Sequence, residues 1–183
     1  ILNEAIQELK QNEFKDLFKD EREDSSKAFL NVKFSSDCQI DTDLQLLFPD
    51  KYIQSTSERM LLYRELDDLD SEEALVQFEA GLVDRFGKLP PESIELIEVV
   101  RLRRVAIELG MEKIILKNQK IVCHFISNPQ SPYYQSPMFG KVLQYVQTHH
   151  QTCRMKEGNN KLSLTFEKVK TVKKAKEILE GVK

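Results

Sequence analysis

The middle of the chain has hydrophobic residues at helical intervals. Three successive segments place apolar side chains three or four positions apart, the spacing of helices that bury one face; they are residues 55–69, 71–86 and 90–110. A helix-capping serine, Ser71, precedes the second segment, and Pro91 lies near the first helical position of the third. Gly87 and Gly110 follow the second and third segments, where glycine commonly ends a helix. The pattern predicts three consecutive helices.

After Gly110 the hydrophobic period changes. Residues 113–126 and 152–167 each contain two short β-rich runs around a turn with asparagine, which predicts two hairpins. Residues 137–150 predict a short helix between them, and residues 170–182 predict a closing helix with its lysines outward. The order is therefore β-β-α-β-β-α.

The front of the chain is less regular. Residues 1–19 carry apolar side chains at helical intervals, and residues 28–34 alternate loosely, as a strand does. That strand is predicted to pair antiparallel with residues 38–42. The whole pattern predicts an α+β fold, with a helical front layer of three consecutive helices and a β-β-α-β-β-α mixed lobe behind it.

Charge divides the chain into two parts. Residues 1–110 contain 25 acidic and 14 basic residues, whereas residues 111–183 contain 5 acidic and 13 basic residues. The simple interpretation is that the two halves are solvated and attract each other; the alternative is that each faces a partner of opposite charge. The boundary also suggests sub-lobes 1–110 and 111–183 within a single domain. Because residue 1 is Ile, we expect that residues 1–183 come from a longer chain.

Motifs for catalysis are missing from the sequence. There is no phosphate-binding loop, dinucleotide fingerprint or nucleophile signature, so we expect neither an enzyme nor a cofactor. His149, His150 and Cys153 could approach a metal, but no second ligand pair follows at the required spacing, so no metal site is expected. Cys123 lies in an alternating run and is predicted to be buried and inert. No segment reaches the roughly 20 apolar residues of a membrane span. The three cysteines are an odd number without paired spacing, which fits a reducing cytosol, so a cytoplasmic protein is expected.

The closing helix carries a possible nucleic-acid patch, made of Lys168, Lys170, Lys173, Lys174 and Lys176. No aromatic residue is interleaved to stack on bases, and lysines opposite an apolar stripe commonly form a solvated helix face. A nucleic-acid-binding accessory domain that uses the basic C-terminal half stays open as the alternative function. Direct, tight nucleic-acid binding is not what we expect.

The helix at residues 71–86 raises a sharper question. On a helical wheel, one narrow stripe faces the core; it contains Leu75, Phe78, Leu82 and Phe86. Asp84 falls almost opposite that stripe, and Arg85 lies on its flank. The structural role of Asp84 would be a surface pair with Lys88, worth only about 0.3 to 0.5 kcal/mol. The alternative is that Asp84 and Arg85 touch another protein.

Arg103, in the third helix, lies among apolar residues on the wheel, so it must be paired or extend its charged end to water. We interpret it as an internal anchor that ties this helix to the front layer, the alternative being a contact with a partner.

Three stretches of the sequence then carry a resemblance: "LFPDKYIQSTSERMLLYREL" (47–66), "GLVDRFGKLPPESIELI" (81–97) and "RLRRVAIELGMEKI" (101–114).

Together these stretches resemble the C-terminal domain of the bacterial transcription-repair coupling factor, over about residues 47–115. The resemblance implies a regulatory, non-catalytic module at the end of a multidomain, ATP-dependent DNA translocase that acts on stalled RNA polymerase in nucleotide-excision repair. It implies docking on an N-terminal module that resembles an excision-repair helicase. Docking would mask the binding surface for the damage-recognition ATPase and repress the motor.

The resemblance also implies which residues make the docking contact. In the family the contact uses the end of a helix with the pattern E-L-x-D-R-F-G, which places Asp84 and Arg85 in the interface here. The family's glutamate corresponds to Gly81, so one acidic contact is missing. Glu79 lies two residues away at a different angle and is not expected to replace it directly.

Overall fold

The structure, a computed structural model, describes residues 33–183. Its regular elements, in chain order, are β1 (Gln39–Thr42), α1 (Thr56–Asp68), α2 (Glu72–Phe86), α3 (Pro91–Glu108), β2 (Met111–Lys117), β3 (Lys120–Phe125), a 3₁₀ turn (Pro132–Gln135), α4 (Pro137–Thr148), β4 (Cys153–Gly158), β5 (Lys161–Glu167) and α5 (Val172–Val182). The helix predicted at residues 1–19 lies outside the described residues. So does most of the strand predicted at 28–34, and its last two residues are not in a strand.

The predicted helix boundaries are confirmed. Ser71 caps α2, its Oγ accepting a hydrogen bond from the backbone N of Ala74 at 3.2 Å. Gly87 ends the same helix with a φ of 82°, a left-handed backbone that favours glycine. Pro91 opens α3, and Gly110, with a φ of 75°, turns the chain from α3 into the sheet. None of the helices within residues 33–183 is long and apolar enough to cross a membrane.

The strands form one five-stranded mixed sheet in the order β1-β2-β3-β5-β4. Both predicted hairpins are present, β2-β3 and β4-β5, and their turns place Asn118-Gln119 and Asn159-Asn160 at positive φ. β1 pairs parallel with β2, Gln39 lying opposite Lys113. The sequence indicated a strand at this position but gave no sign of its parallel partner, which is more than 70 residues away. The predicted α+β fold class is confirmed.

Two hydrophobic clusters share helix α3. The helical cluster lies between α1, α2 and α3; its buried members include Phe48, Ile53, Leu62, Leu66, Leu75, Phe78, Leu82, Ile97 and Val100. The sheet cluster lies between one face of the sheet and the helices α3, α4 and α5; it includes Leu102, Val105, Ile114, Cys123, Val142, Leu164, Phe166, Ala175 and Leu179. Helix α3 is therefore buried on two sides, which makes it the structural link between the helical layer and the sheet. The division into sub-lobes at residue 110 stays a prediction.

Candidate docking surface at the end of helix α2

The C-terminal end of α2 is held by Tyr52, which lies in the segment between β1 and α1. The hydroxyl of Tyr52 donates to the carbonyl oxygens of Leu82, at 3.1 Å, and Gly87, at 2.8 Å. Its ring centroid lies 5.7 Å from that of Phe86, and burial raises the pKa of the Tyr52 hydroxyl. These contacts tie the last turn of α2 and the residue after it to a side chain outside the helix, so the last turn has a defined position.

Asp84 lies on that last turn and is exposed. The residues of the predicted apolar stripe face the opposite way, Leu75 and Leu82 being almost completely buried. Within residues 33–183 Asp84 makes no salt bridge, and the surface pair predicted with Lys88 does not form. The side chain of Asp84 therefore has no structural contact in the described part of the chain.

Arg85 has a structural contact as well as an exposed surface. Its guanidinium forms an ion pair with Glu58 on the first turn of α1. The same group lies 4.7 Å from the centroid of the Phe86 ring, within cation–π distance. The Arg85 side chain is 50% exposed, so one side of the guanidinium still faces solvent. Arg85 thus links α1 to α2 at the edge of the surface that carries Asp84.

The two positions that flank this surface on α2 differ in their surroundings. A Cβ atom built on Gly81 would meet no other atom within 4 Å, so the domain has room for a larger side chain there. Glu79, by contrast, is held inside the domain: its two carboxylate oxygens accept from Arg101 at 3.1 and 3.2 Å. Glu79 is therefore occupied, and its position supports the expectation that it does not replace the missing acid.

Arg101 lies at the centre of the charged contacts between α2 and α3, and the sequence analysis did not identify it. Its side chain is only 11% exposed and forms salt bridges with Glu72 at 2.8 Å, Glu79 at 3.1 Å and Glu98 at 2.9 Å. Burial lowers the pKa of the Arg101 guanidinium, but the hydrogen bonds to Glu79 and Glu72 outweigh that effect, and the pKa is raised above its ordinary value. A sequence signal existed: Glu98 precedes Arg101 by three positions on a helix that is buried on two sides.

Two further arginines of α3 are also paired. Arg103, predicted to be an internal anchor, reaches Asp67 of α1, with Nη1 3.1 Å from Oδ1 and Nη2 3.3 Å from the carbonyl oxygen. Arg104 contacts Glu72 at 3.3 Å. The contact of Arg103 supports the interpretation that it ties α3 to the front layer.

The lysines on α5 and just before it divide into two groups. Lys168, Lys170, Lys173 and Lys174 are exposed, and Lys174 lies 3.9 Å from Glu177 on its own helix. Lys176 is only 16% exposed and contacts the buried Glu98 at 3.0 Å. This division matches a solvated helix face with one structural lysine. Cys123 is fully buried, as predicted. Within residues 33–183 no three His, Cys, Asp or Glu side chains are grouped as a metal site would require.

The protein is therefore an α+β domain with a mixed sheet and a helical layer. Its α2 ends in a turn that Tyr52 holds in place and that presents the exposed carboxylate of Asp84. The chain belongs to the TRCF domain family, whose model matches residues 42–136, more than half of the chain and including the end of α2. It is similar to curated transcription-repair-coupling factors and to a solved C-terminal domain of such a factor.

The curated relatives are much longer than this chain. A transcription-repair-coupling factor of Rickettsia typhi is 27% identical over 146 residues, which cover 80% of this chain and 12% of the relative. The Escherichia coli K12 protein of the same name is 31% identical over 80 residues, 44% of this chain and 7% of the relative. A crystal structure of the C-terminal domain of transcription-repair coupling factor superposes with a TM-score of 0.63 at 15% identity, covering 80% of this chain and 94% of that chain. That structural likeness bears on the fold alone.

Proposed function

We propose that this chain is a non-catalytic, autoinhibitory interaction domain of a transcription-repair coupling factor. It docks through Asp84 and Arg85 on the N-terminal, excision-repair-helicase-like module of its parent chain. While docked, it masks the binding surface for the damage-recognition ATPase and represses the ATP-dependent motor of the parent. Its effects on RNA polymerase and on repair are exerted through the parent, and the chain by itself hydrolyses no ATP.

The observation that carries this proposal is the position of Asp84. The carboxylate is exposed on a helix end that Tyr52 holds in place, and no contact within residues 33–183 uses it. Because the backbone that carries this carboxylate has a defined position, only the short side chain has to be ordered when an arginine of a partner binds it, and a charge-assisted contact of this kind is strong once water is excluded.

Arg85 contributes in a second way. Because its guanidinium is already oriented by Glu58 and by the Phe86 ring, it can donate hydrogen bonds to a carboxylate of the partner on its solvent-facing side. An interface built on one acid and one base at a helix end is polar and moderate in strength. Such an interface suits a contact that must open during function.

The test is Asp84→Ala in the full-length parent. Removing one partner of a desolvated charge pair typically costs about 2 to 5 kcal/mol, so we expect weaker docking, higher basal ATPase activity and stronger binding of the damage-recognition ATPase. The matched control is Glu180→Ala, which removes an exposed carboxylate from α5 instead.

The 183-residue chain supplies the stability control. Asp84→Ala should change its free energy of unfolding by less than about 0.5 kcal/mol, because the side chain has no contact to lose. If the variant melts like the wild type and also leaves the ATPase activity and the partner binding of the parent unchanged, Asp84 is an ordinary solvated surface charge and the proposed docking contact is wrong. Arg85→Ala should act in the same direction, with an added loss of up to about 1 kcal/mol from its pair with Glu58.

A further inference from the structure

The sheet has one face that none of the helices α3, α4 and α5 covers. Those helices pack on the side chains of one alternating set, which includes Ile114, Cys123 and Leu164. The other set points to the opposite face, because side chains alternate along each strand. Two cross-strand rows define this open face. One row runs Lys113–His124–Ser163–Lys156, and the other runs Ile115–Val122–Thr165–Arg154.

The open face is cationic at one end and neutralised at the other. At the neutralised end Lys117 contacts Asp41 at 2.8 Å, and Lys120 contacts Glu167 at 3.6 Å. At the cationic end are Lys113, Arg154, Lys156 and Lys161, the last of which shares its face with Ser163 by alternation. Within residues 33–183 none of these four lies within salt-bridge distance of a carboxylate.

The centre of the open face is apolar. Ile115 and Val122 lie directly opposite each other on neighbouring strands, and both are only partly buried. Cross-strand neighbours of this kind present one continuous apolar area. Asp41, which is paired with Lys117, borders it on the β1 side, and the row from Lys113 to Lys156 runs along its cationic end. The face therefore offers two kinds of contact side by side, positive charge and a small apolar area.

We propose that this open face is a docking surface for an acidic protein segment that also carries apolar side chains, with Lys113, Lys156, Lys161 and Arg154 binding its carboxylates. The row from Lys113 to Lys156 crosses four strands, about 14 Å at the usual strand spacing. That distance corresponds to roughly nine residues of a helix, enough for two or three carboxylates on one side. This surface is separate from the end of α2, so the proposal does not rest on the function proposed above.

A protein segment fits this face better than a nucleic acid does. Phe, Tyr and Trp, the larger aromatic side chains that stack on bases, are missing from both rows, and three of the four unpaired cations are lysines. A phosphate backbone would leave the Ile115–Val122 area without a partner.

The environment of His124 gives a local probe of the same surface. Burial lowers the pKa of its imidazole, and the positive charges of Lys113 and Lys161 lower it further. Lys156 lies in the same cross-strand row, and the acids of that face, Asp41 and Glu167, are paired with Lys117 and Lys120. Carboxylates that bind here should favour the protonated imidazole, so binding should raise the pKa of His124.

The experiment uses the 183-residue chain and four probes of similar length. They are a glutamate-rich peptide with interspersed leucines, a polyglutamate peptide, a single-stranded oligothymidine and a DNA duplex. Binding is measured by fluorescence anisotropy at low and at near-physiological salt. We expect the leucine-containing peptide to bind most tightly and to raise the NMR-determined pKa of His124.

Two charge-reversed variants make the test specific to the face. Lys156→Glu/Lys161→Glu should weaken binding of the leucine-containing peptide about tenfold or more, because it reverses two contacts on exposed positions. Lys173→Glu/Lys174→Glu makes the same change of net charge on α5 and should weaken binding by less than about twofold. Equal losses in the two variants, equal binding of polyglutamate, or binding of the oligonucleotides in place of the peptide would each overturn the proposal.

Discussion

The helical layer and the open face of the sheet differ in whether their cationic side chains have carboxylate partners. In the helical layer four arginines are paired inside the domain: Arg101 contacts three glutamates, and Arg85, Arg103 and Arg104 each contact a carboxylate on another helix. On the open face four cations have no such partner within residues 33–183. These arginines therefore stabilise the packing of the helices, whereas the four cations of the open face keep their charge available at the surface.

Asp84 shows that pairing in the helical layer is incomplete. It lies in the helical layer, yet it resembles the open face in having no partner in the described part of the chain. Helix α2 shows both conditions, since Glu72 and Glu79 are held by Arg101 whereas Asp84 is not. A count of charges along the sequence cannot separate these cases, because the distinction depends on which side chains meet across α2 and α3.

The largest expected effect comes from breaking the paired network at Arg101. Arg101→Leu leaves Glu79 without a cation within residues 33–183, whereas Glu72 keeps Arg104 and the buried Glu98 keeps Lys176. Because several charge-assisted hydrogen bonds are lost together, we expect a loss of about 1.5 to 3 kcal/mol in the free energy of unfolding. Chemical denaturation of the 183-residue chain measures it. Arg104→Leu is the matched control, since Arg104 is 33% exposed and makes one salt bridge; it should cost less than about 1 kcal/mol. Similar losses in both variants would contradict the central role of Arg101.

A smaller effect is expected at Arg103. Arg103→Leu should cost up to about 1 kcal/mol, because the lost partner Asp67 is 74% exposed and can return to water. Arg103→Asp should cost more, since it places a second carboxylate beside Asp67 and beside the carbonyl oxygen that Arg103 now satisfies. Neither variant should affect docking selectively. An Arg103→Leu chain that melts like the wild type but loses its partner would place Arg103 in the interface.

Gly81, which is half-buried on α2, tests whether this helix has room for a side chain there. Gly81→Ala should raise the free energy of unfolding by about 0.5 to 1 kcal/mol, because glycine is a poor helix former and the added Cβ meets no atom within 4 Å. Gly81→Glu should be tolerated equally well and, under the proposed function, should lower the basal ATPase activity of the parent. Gly181→Ala on α5, which also has open space, is the control for helix propensity alone. Destabilisation by Gly81→Ala would show that this side of α2 is covered.

The sequence predicted local structure well because the signals for it are local. Ser71, Gly87, Pro91 and Gly110 mark helix ends by their own backbone and side-chain chemistry, and the structure confirms each. The parallel pairing of β1 with β2 could not be predicted in this way, because Gln39 and Lys113 are distant in the chain and nothing near either one specifies the other.

The candidate site was predictable only in part, for a related reason. The helical period of α2 was enough to place Asp84 on the surface and Leu82 in the core. The helical period could not identify Arg101. A helical wheel shows which side of a helix is apolar, but it does not show which charged side chains of a neighbouring helix form salt bridges with it. The same limit hid the pairing of Arg85 with Glu58, which depends on α1 and α2 packing together.

The smallest effect is expected at His124, and it tests whether the cations of the open face act together. Folding lowers the pKa of this imidazole, so the unfolded chain binds more protons, and His124 should make stability rise with pH as pH increases toward the ordinary value of about 6.5. Lys113→Gln and Lys161→Gln should each raise the pKa of His124 by NMR titration, without reaching the ordinary value, because burial is the larger cause. Lys173→Gln on α5 removes the same charge at a distance and should leave the titration unchanged. If the two face variants also left it unchanged, the lysines would be too well screened to form one positive surface, and the contrast with the paired helical layer would lose its electrostatic basis.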